Sequence, residues 1–298
     1  MSNLPKISII TPSYNQALFL EETIRSVLDQ GYPDLEYIVI DGGSTDGSVE
    51  IIQKYASRLA YWVSEEDSGQ VEAIQKGLNR ATGEIIAWLN SDDLYTPGTL
   101  HRISRVFQEP EVAFTYGKCE FIDDKGSPMY SWPYHEELDL KTVITHNFLP
   151  QPSCFWRMDV YRTVGPLNAT LHYAFDYEYW LRILLAGYKT TSVPVVFSLY
   201  RLHDESKTCT AQAKFEEEMV QIHDALLPER SAAVRKAVAR CYRRFATENY
   251  FWRHDRKRAM KFFRKMFAVD PTVCDLTALK VCAKCLLRIP HRASGGPV

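Results

Sequence analysis

A doubly wound, mostly parallel α/β sheet with helices on both faces is the fold class predicted for the first part of this 298-residue chain. Three observations predict it. Short apolar runs rich in Ile and Val alternate with stretches of helical spacing. The alternation runs β-α-β-α-β-α-β from residue 6 to residue 93, and strands joined by helical crossovers pair in parallel. Each run stops at a cluster of Gly, Ser, Asn or Asp, the residues that turn a chain.

The elements follow in order. Residues 6–10 read as the first strand, and Thr11-Pro12-Ser13-Tyr14-Asn15 as a turn, because Pro12 cannot continue a central strand. Apolar positions at 17, 20, 24, 27 and 28 predict a helix, closed by Gly31-Tyr32-Pro33. Residues 35–40 form a second strand, stopped by Asp41-Gly42-Gly43-Ser44, and Thr45-Asp46-Gly47-Ser48 opens a helix reaching about Tyr55. Residues 61–64 are a third strand, 69–78 a helix and 84–89 a fourth strand. Beyond residue 93 the pattern loosens. A helix is expected over 98–108, strands at 112–116 and 118–122, loops across the Pro- and aromatic-rich 127–152, and a strand at 153–156. Helices near 158–163 and over 174–186, then a strand at 190–200, complete a domain of residues 1–210, with halves 1–93 and 94–210. Residues 211–298 read as a helical C-terminal extension.

Composition narrows the class. A hydrophobic content of 46% supplies a core and argues against global disorder. No apolar run approaches the roughly 18 residues of a membrane span, and the N-terminus lacks a signal-peptide pattern. Seven Cys form no paired framework; Cys282 and Cys285 make one CxxC with no second pair, so buried or incidental thiols and a reduced, cytoplasmic protein are expected. The net charge of −2 hides a split. Residues 231–298 carry 16 Lys and Arg against 4 Asp and Glu, while residues 1–230 carry 19 against 33. Arg253 to Met266 mixes seven basic residues with Phe262-Phe263, directly after Tyr250-Phe251-Trp252. That composition suits peripheral contact with an anionic membrane; the plainer reading is helices that pack on the acidic domain or oligomerise. No nucleic-acid motif accompanies it.

The chemistry gathers at strand ends. In a parallel sheet, Thr11–Asn15, Asp41–Ser44, residues 65–70 and Asn90-Ser91-Asp92-Asp93 share one edge, where open α/β sheets bind ligands. Asp41, Asp67, Asp92 and Asp93 would then face one crevice with Thr11, Ser13 and Tyr14. Clustered acids repel one another unless a cation or a donor-rich ligand lies among them. Ribose hydroxyls and base N–H groups are such donors, and a diphosphate brings its own need for a divalent cation. The plainer reading of each segment is a turn or a helix cap.

Together Thr11-Pro12-Ser13-Tyr14-Asn15, Val39-Ile40-Asp41-Gly42-Gly43-Ser44-Thr45-Asp46-Gly47-Ser48, Ser64-Glu65-Glu66-Asp67-Ser68-Gly69-Gln70 and Trp88-Leu89-Asn90-Ser91-Asp92-Asp93 resemble the ordered motifs of the family-2 glycosyltransferases, inverting enzymes of the GT-A fold. The resemblance covers residues 6–207. It implies transfer of a sugar from a nucleotide diphosphate donor to a saccharide or lipid-linked acceptor, assisted by Mn²⁺ or Mg²⁺, with surface polysaccharide synthesis as the role. It implies that Thr11, Pro12 and Tyr14 line the base pocket, that Asp41 bonds base or ribose, and that Asp67, Gly69, Gln70 and Lys76 follow a subgroup pattern at the donor. Asp92 matches the metal-contacting acid, with Asn90, Ser91 and Asp93 around the donor sugar. Asp176 matches the general base, with Glu178 as runner-up. Arg201 and Lys207 match diphosphate contacts, and His203 a second metal ligand. The sequence departs from the family at Asn90, where an acid is usual, and at Gly42, where many members carry an acid. Two other classes stay open. A sugar-phosphate nucleotidyltransferase needs a Gly-rich loop after the first strand, which residues 11–15 do not provide. A non-catalytic sugar-nucleotide-binding scaffold is kept open by Asn90.

Overall fold

The computed structural model describes residues 4–204, 206–226 and 231–287, so residues 227–230 and 288–298 of the expected C-terminal extension lie outside the described residues. In the first stretch β1 (Ile7–Ser13), α1 (Ala17–Leu28), β2 (Leu35–Asp41), α2 (Ser48–Tyr55), β3 (Tyr61–Ser64), α3 (Gln70–Arg80) and β4 (Ile85–Trp88) alternate as predicted. Then come β5 (Leu94–Tyr95), α4 (Thr99–Val106), β6 (Phe114–Ile122), β7 (Pro128–Ser131), α5 (Leu140–His146), β8 (Cys154–Arg157), α6 (Met158–Val164), α7 (Phe175–Leu185), β9 (Thr190–Arg201) and α8 (Lys207–Thr210). The chain closes with α9 (Gln212–Leu226), α10 (Ala232–Phe251), α11 (Arg256–Val269) and α12 (Leu276–Leu286).

The chain divides into two units. The first holds the chain up to Leu138 and Phe148–Phe215, and the second holds Asp139–Asn147 and the described residues from Glu216 onward. In the first unit the strands form one sheet, ordered β3-β2-β1-β4-β8-β6-β9-β5, with β7 beside β6. The β3-β2-β1-β4 half is parallel, whereas β8 runs antiparallel to both β4 and β6, so the sheet as a whole is mixed.

Three local expectations are corrected. Pro12 lies inside β1, paired with Ile40, and not in a turn. Ser13 and Ile10 accept the N–H groups of Gly42 and Leu89, just past β2 and β4 respectively, so Pro12 faces the β4 side, where pairing ends at Ile10 and no ladder bond is lost. The expected strands on either side of Gly117 are one strand, because Gly117 marks a close approach and not a turn. A Cβ there would lie 2.3 Å from the Phe197 ring. The ladder between β6 and β9 is irregular at this point: the partners are 76 residues apart at Phe114/Thr190 and 79 apart at Ile122/Arg201. Finally, the expected loop over 127–152 contains β7 and α5.

Burial explains the frame. Trp88 of β4 stacks on Trp180 of α7 at 5.5 Å and meets Trp156 of β8 edge-on at 5.3 Å, all three fully buried. Phe175, which begins α7, lies 6.0 Å from the Trp88 ring, so the first turn of α7 is seated beside the end of β4. At the opposite end of the sheet, Glu36 takes bonds from Lys6 Nζ (2.7 Å), Ser8 Oγ (2.5 Å) and the Thr82 N–H (2.6 Å). Burial works to raise its pKa, but these donors prevail and hold it down at about 2.

In the second unit α10 packs on α5, α11 and α12. Phe262 and Phe263, read above as candidates for a membrane face, are buried in its core with Tyr242 and Phe245. Buried Glu216 accepts bonds from Asn249 Nδ2 (2.9 Å) and Arg258 Nε (2.8 Å) and pairs with Arg253, so its charge is compensated on several sides. Asp139, Ser231, Asp255 and Asp275 cap α5, α10, α11 and α12 through their side chains.

Candidate active site

The carboxyl ends of β1, β2, β3 and β4 lie along one edge of the parallel half-sheet. The loops leaving β1 and β2 are bonded to each other. Asn15, in the left-handed region at φ 51°, donates its backbone N–H to Ser44 Oγ (2.8 Å) and accepts from the Thr45 N–H through Oδ1 (3.0 Å). Asp46 Oδ2 accepts the Ala17 N–H at 2.8 Å, so an acid of the second loop satisfies an orphan donor at the start of α1. Tyr14 is left 62% exposed at this edge.

Asp41 does not face the crevice. It is fully buried, and its oxygens accept from Ser64 Oγ (2.7 Å), Ser44 Oγ (2.6 Å) and the Ser44 and Gly43 N–H groups (2.9 and 3.1 Å). The expected contact with base or ribose gives way to a loop-shaping role. Thr11 is likewise buried, bonded to Tyr37 Oη at 3.0 Å, so its hydroxyl does not line a pocket; Pro12 and Ser91 are also buried. The crevice-side acid of this region is Asp67. Its Oδ2 would lie 2.9 Å from a Cβ on Gly42, and its Oδ1 accepts the Gly69 N–H at 2.8 Å. Partial burial raises its pKa. Lys76, about two turns further along α3, pairs with Glu65 and Glu72 at 3.1 and 3.0 Å.

The two adjacent acids after β4 have different surroundings. Asp93 is 1% exposed, accepts the Arg201 N–H (3.0 Å) and is approached by Asn90 Nδ2 (3.3 Å). Burial, and then the charge of Asp92, push its pKa well above the ordinary carboxyl range. Asp93 is therefore an internal tie, not a donor-sugar contact. Asp92 stays partly open, its side chain 21% exposed, with Oδ2 3.1 Å from His203 Nε2. Phe19 flanks the His203 ring at 4.9 Å. Among the described residues no third His, Cys, Asp or Glu makes a cage with them. One carboxylate and one imidazole in a partly open crevice fit a cation whose other positions are left to phosphate oxygens and water.

Arg201 is corrected as well. Its guanidinium, 1% exposed, donates to the Asp92 carbonyl (3.0 Å), the Asp124 carbonyl (3.2 Å) and Glu22 (2.6 Å), and lies over Phe19. It braces the strand end and is not available to a diphosphate. Asn90 joins the crevice as a neutral hub: it accepts from Gln70 Nε2 (2.8 Å) and donates to Gln151 Oε1 (3.1 Å). Lys207 Nζ donates to Gln70 Oε1 (2.8 Å), which brings Lys207, Gln70 and Asn90 into one chain. Asp176 stands in the first turn of α7, with the Tyr177 N–H on its Oδ1 at 2.7 Å. Glu178, the alternative base, is buried and bonded to Arg182 at 3.0 Å. Sequence reasoning missed the roles of Ser64, which it met only inside a motif, and of Glu22, which no local pattern marks; they are the partners that fix Asp41 and Arg201.

The sequence model of glycosyl transferase family 2 matches residues 8–165, just over half of the chain. The chain belongs to glycosyl transferase family 2. It is 30% identical over 207 residues to TuaG of Bacillus subtilis, a glycosyltransferase provisionally named for teichuronic acid biosynthesis, covering 68% of this chain and 81% of that protein. An uncharacterized glycosyltransferase of Rickettsia typhi is 29% identical over 221 residues, 72% of this chain and 69% of the relative. Among solved structures, S. aureus TarS in complex with UDP-GlcNAc superposes with a TM-score of 0.70 at 19% identity, covering 89% of this chain and 82% of that one. The Pyrobaculum calidifontis mannosyltransferase PcManGT, in complex with GDP-Man and Mn²⁺, superposes at 0.63 and 18% identity, covering 96% and 81%. The family-2 chain is thus a glycosyltransferase, and these solved structures share its GT-A fold.

Proposed function

We propose that this glycosyltransferase moves a sugar, with inversion, from a nucleotide diphosphate donor to a saccharide or lipid-linked saccharide acceptor in surface polysaccharide synthesis. The observation that carries the reading is the Asp92–His203 pair at the end of β4, in a chain whose neighbouring acid is buried. Asp92 and His203 would hold Mn²⁺ or Mg²⁺, whose charge offsets that of the diphosphate. Exposed Tyr14 offers an apolar face to the base, Asp67 and Gly69 a carboxylate and a backbone edge to the nucleoside, and Lys207 and Gln70 the donors nearest the phosphates. The relative provisionally named for teichuronic acid biosynthesis, and the neighbours bound to UDP-GlcNAc and GDP-Man, support the substrate class.

Asp176 acts as general base. Its carboxylate takes the proton of the acceptor hydroxyl as that oxygen bonds the anomeric carbon, and the bond from that carbon to the diphosphate oxygen breaks. One displacement inverts the centre. Residues 1–210 carry this catalysis, and residues 211–298 are an extension that makes peripheral membrane contact on the cytoplasmic side through residues 231–298; no described helix is long and apolar enough to cross a membrane.

Thermal unfolding with UDP, GDP, dTDP and CDP, each with and without Mn²⁺, tests the donor site. A nucleotide at 100 times its dissociation constant stabilises by about 2.7 kcal/mol. A metal-dependent rise with one nucleotide is expected; no rise with any would overturn the donor reading.

A further inference from the structure

Helix α12 has two apolar faces. Ala278, Val281 and Cys285 are buried in the second unit, against α10 and α11. Leu276, Leu279, Leu286 and, just past the helix end, Leu287 are instead 75%, 51%, 65% and 71% exposed. At 3.6 residues per turn these four leucines fall within an arc of about 100°. Lys280 and Lys284, both exposed, border that arc on one side. A lone exposed leucine needs no explanation, but four on one stripe of a helix already anchored by its other face form a patch.

Length and charge select the occupant. Eleven helical residues extend about 16 Å, roughly half of a bilayer's hydrocarbon thickness, so α12 can lie in a membrane interface but not cross it. Residues 231–298 carry 16 basic against 4 acidic residues, which repels a second copy of the same face and attracts an anionic surface. Leucines beside lysines on one face allow apolar contact while the ammonium groups reach lipid phosphates. We propose that this face of α12 seats in the headgroup region of an anionic bilayer. The inference rests on the membrane contact proposed above and gives that contact its residues; it is independent of the donor and of the acceptor.

Flotation of the full chain with phosphatidylcholine vesicles, with and without phosphatidylglycerol, tests it. The chain is expected to float with the anionic vesicles, and added salt to weaken that several-fold. Leu276→Ser/Leu279→Ser/Leu286→Ser should lower partition by about tenfold or more, and Lys280→Gln/Lys284→Gln should weaken partition onto the phosphatidylglycerol vesicles several-fold. Both variants should keep the nucleotide-induced thermal shift, which separates loss of membrane contact from loss of the donor site. Leu279→Gln alone should give an intermediate loss, so that a misfolded triple variant still leaves a reading. Equal flotation of native and variant chains, or no flotation of the native chain, would overturn the proposal. A native dimer that the leucine substitutions split without vesicles would also overturn it, by making a second copy the occupant.

Discussion

The two halves of the sheet hold their strand ends in different ways. On the β1–β3 side the loops are fixed by short polar residues of adjoining strand ends: Ser44 Oγ and Asp46 accept the backbone N–H groups of Asn15 and Ala17, and Ser64 Oγ donates to the Asp41 carboxylate. On the β4–β9 side the fixing groups are longer side chains, two of which, Arg201 and Gln151, come from far along the chain. Arg201 reaches carbonyls near Asp92 and Asp124, and Asn90 is met by Gln70 and Gln151. The first arrangement tolerates change one bond at a time. The second concentrates charge in a buried place, where removing one partner strands the others.

Four measurements break or sharpen that contrast. The largest effect is expected at the reacting end: Asp176→Asn should lower the transfer rate about 10²- to 10⁴-fold while keeping the nucleotide-induced thermal shift. A near-native rate would remove Asp176 as the base. Arg201→Met should cost about 3 kcal/mol in urea unfolding, because the Asp92 and Asp124 carbonyls lose their buried guanidinium donor. A loss below about 1 kcal/mol would make the β4–β9 side as tolerant as the other. Glu36 brings pH into the comparison. Its pKa is lowered from 4.5 to about 2 in the fold, so its contribution is complete above about pH 4.5 and is lost as the pH falls towards 2. Glu36→Gln should therefore cost about 2–3 kcal/mol at neutral pH and flatten the acid limb of stability against pH; an unchanged limb would refute the assignment. Gly42→Ala should be mild, within about 0.5 kcal/mol, since only the end of the Asp67 side chain must move, 2.9 Å from the new Cβ. Nucleotide affinity should fall a few-fold, and unchanged affinity would separate Asp67 from the donor.

The same contrast explains what could be read from the sequence. The alternation over residues 6–93 was legible because strand period, helix spacing and turn residues are local signals, and the four strand-end segments do share an edge. Arg201 was not legible. Beside His203 it has the look of an anion ligand, and only Glu22, Asp123 and Asp124, far off in sequence, reveal a brace. Asp41 misled for a related reason: an acid after a strand does not announce that two serines and two N–H groups already occupy it. β7 and α5 escaped notice because four exposed residues and a seven-residue helix with two buried apolar side chains give too short a period to detect.

The irregular ladder between β6 and β9 works as a length adjuster. Partner separation grows from 76 to 79 residues along it, so β9 has absorbed three more residues than β6 by the time the strands reach the crevice. At about 3.3 Å per residue, a regular ladder would carry the end of β9 some 10 Å further on. His203, two residues beyond that end, would then overshoot Asp92 by more than the length of its own side chain. The reach of the imidazole is thus set well away from the crevice, around the missing side chain of Gly117, where Phe197 lies against the backbone.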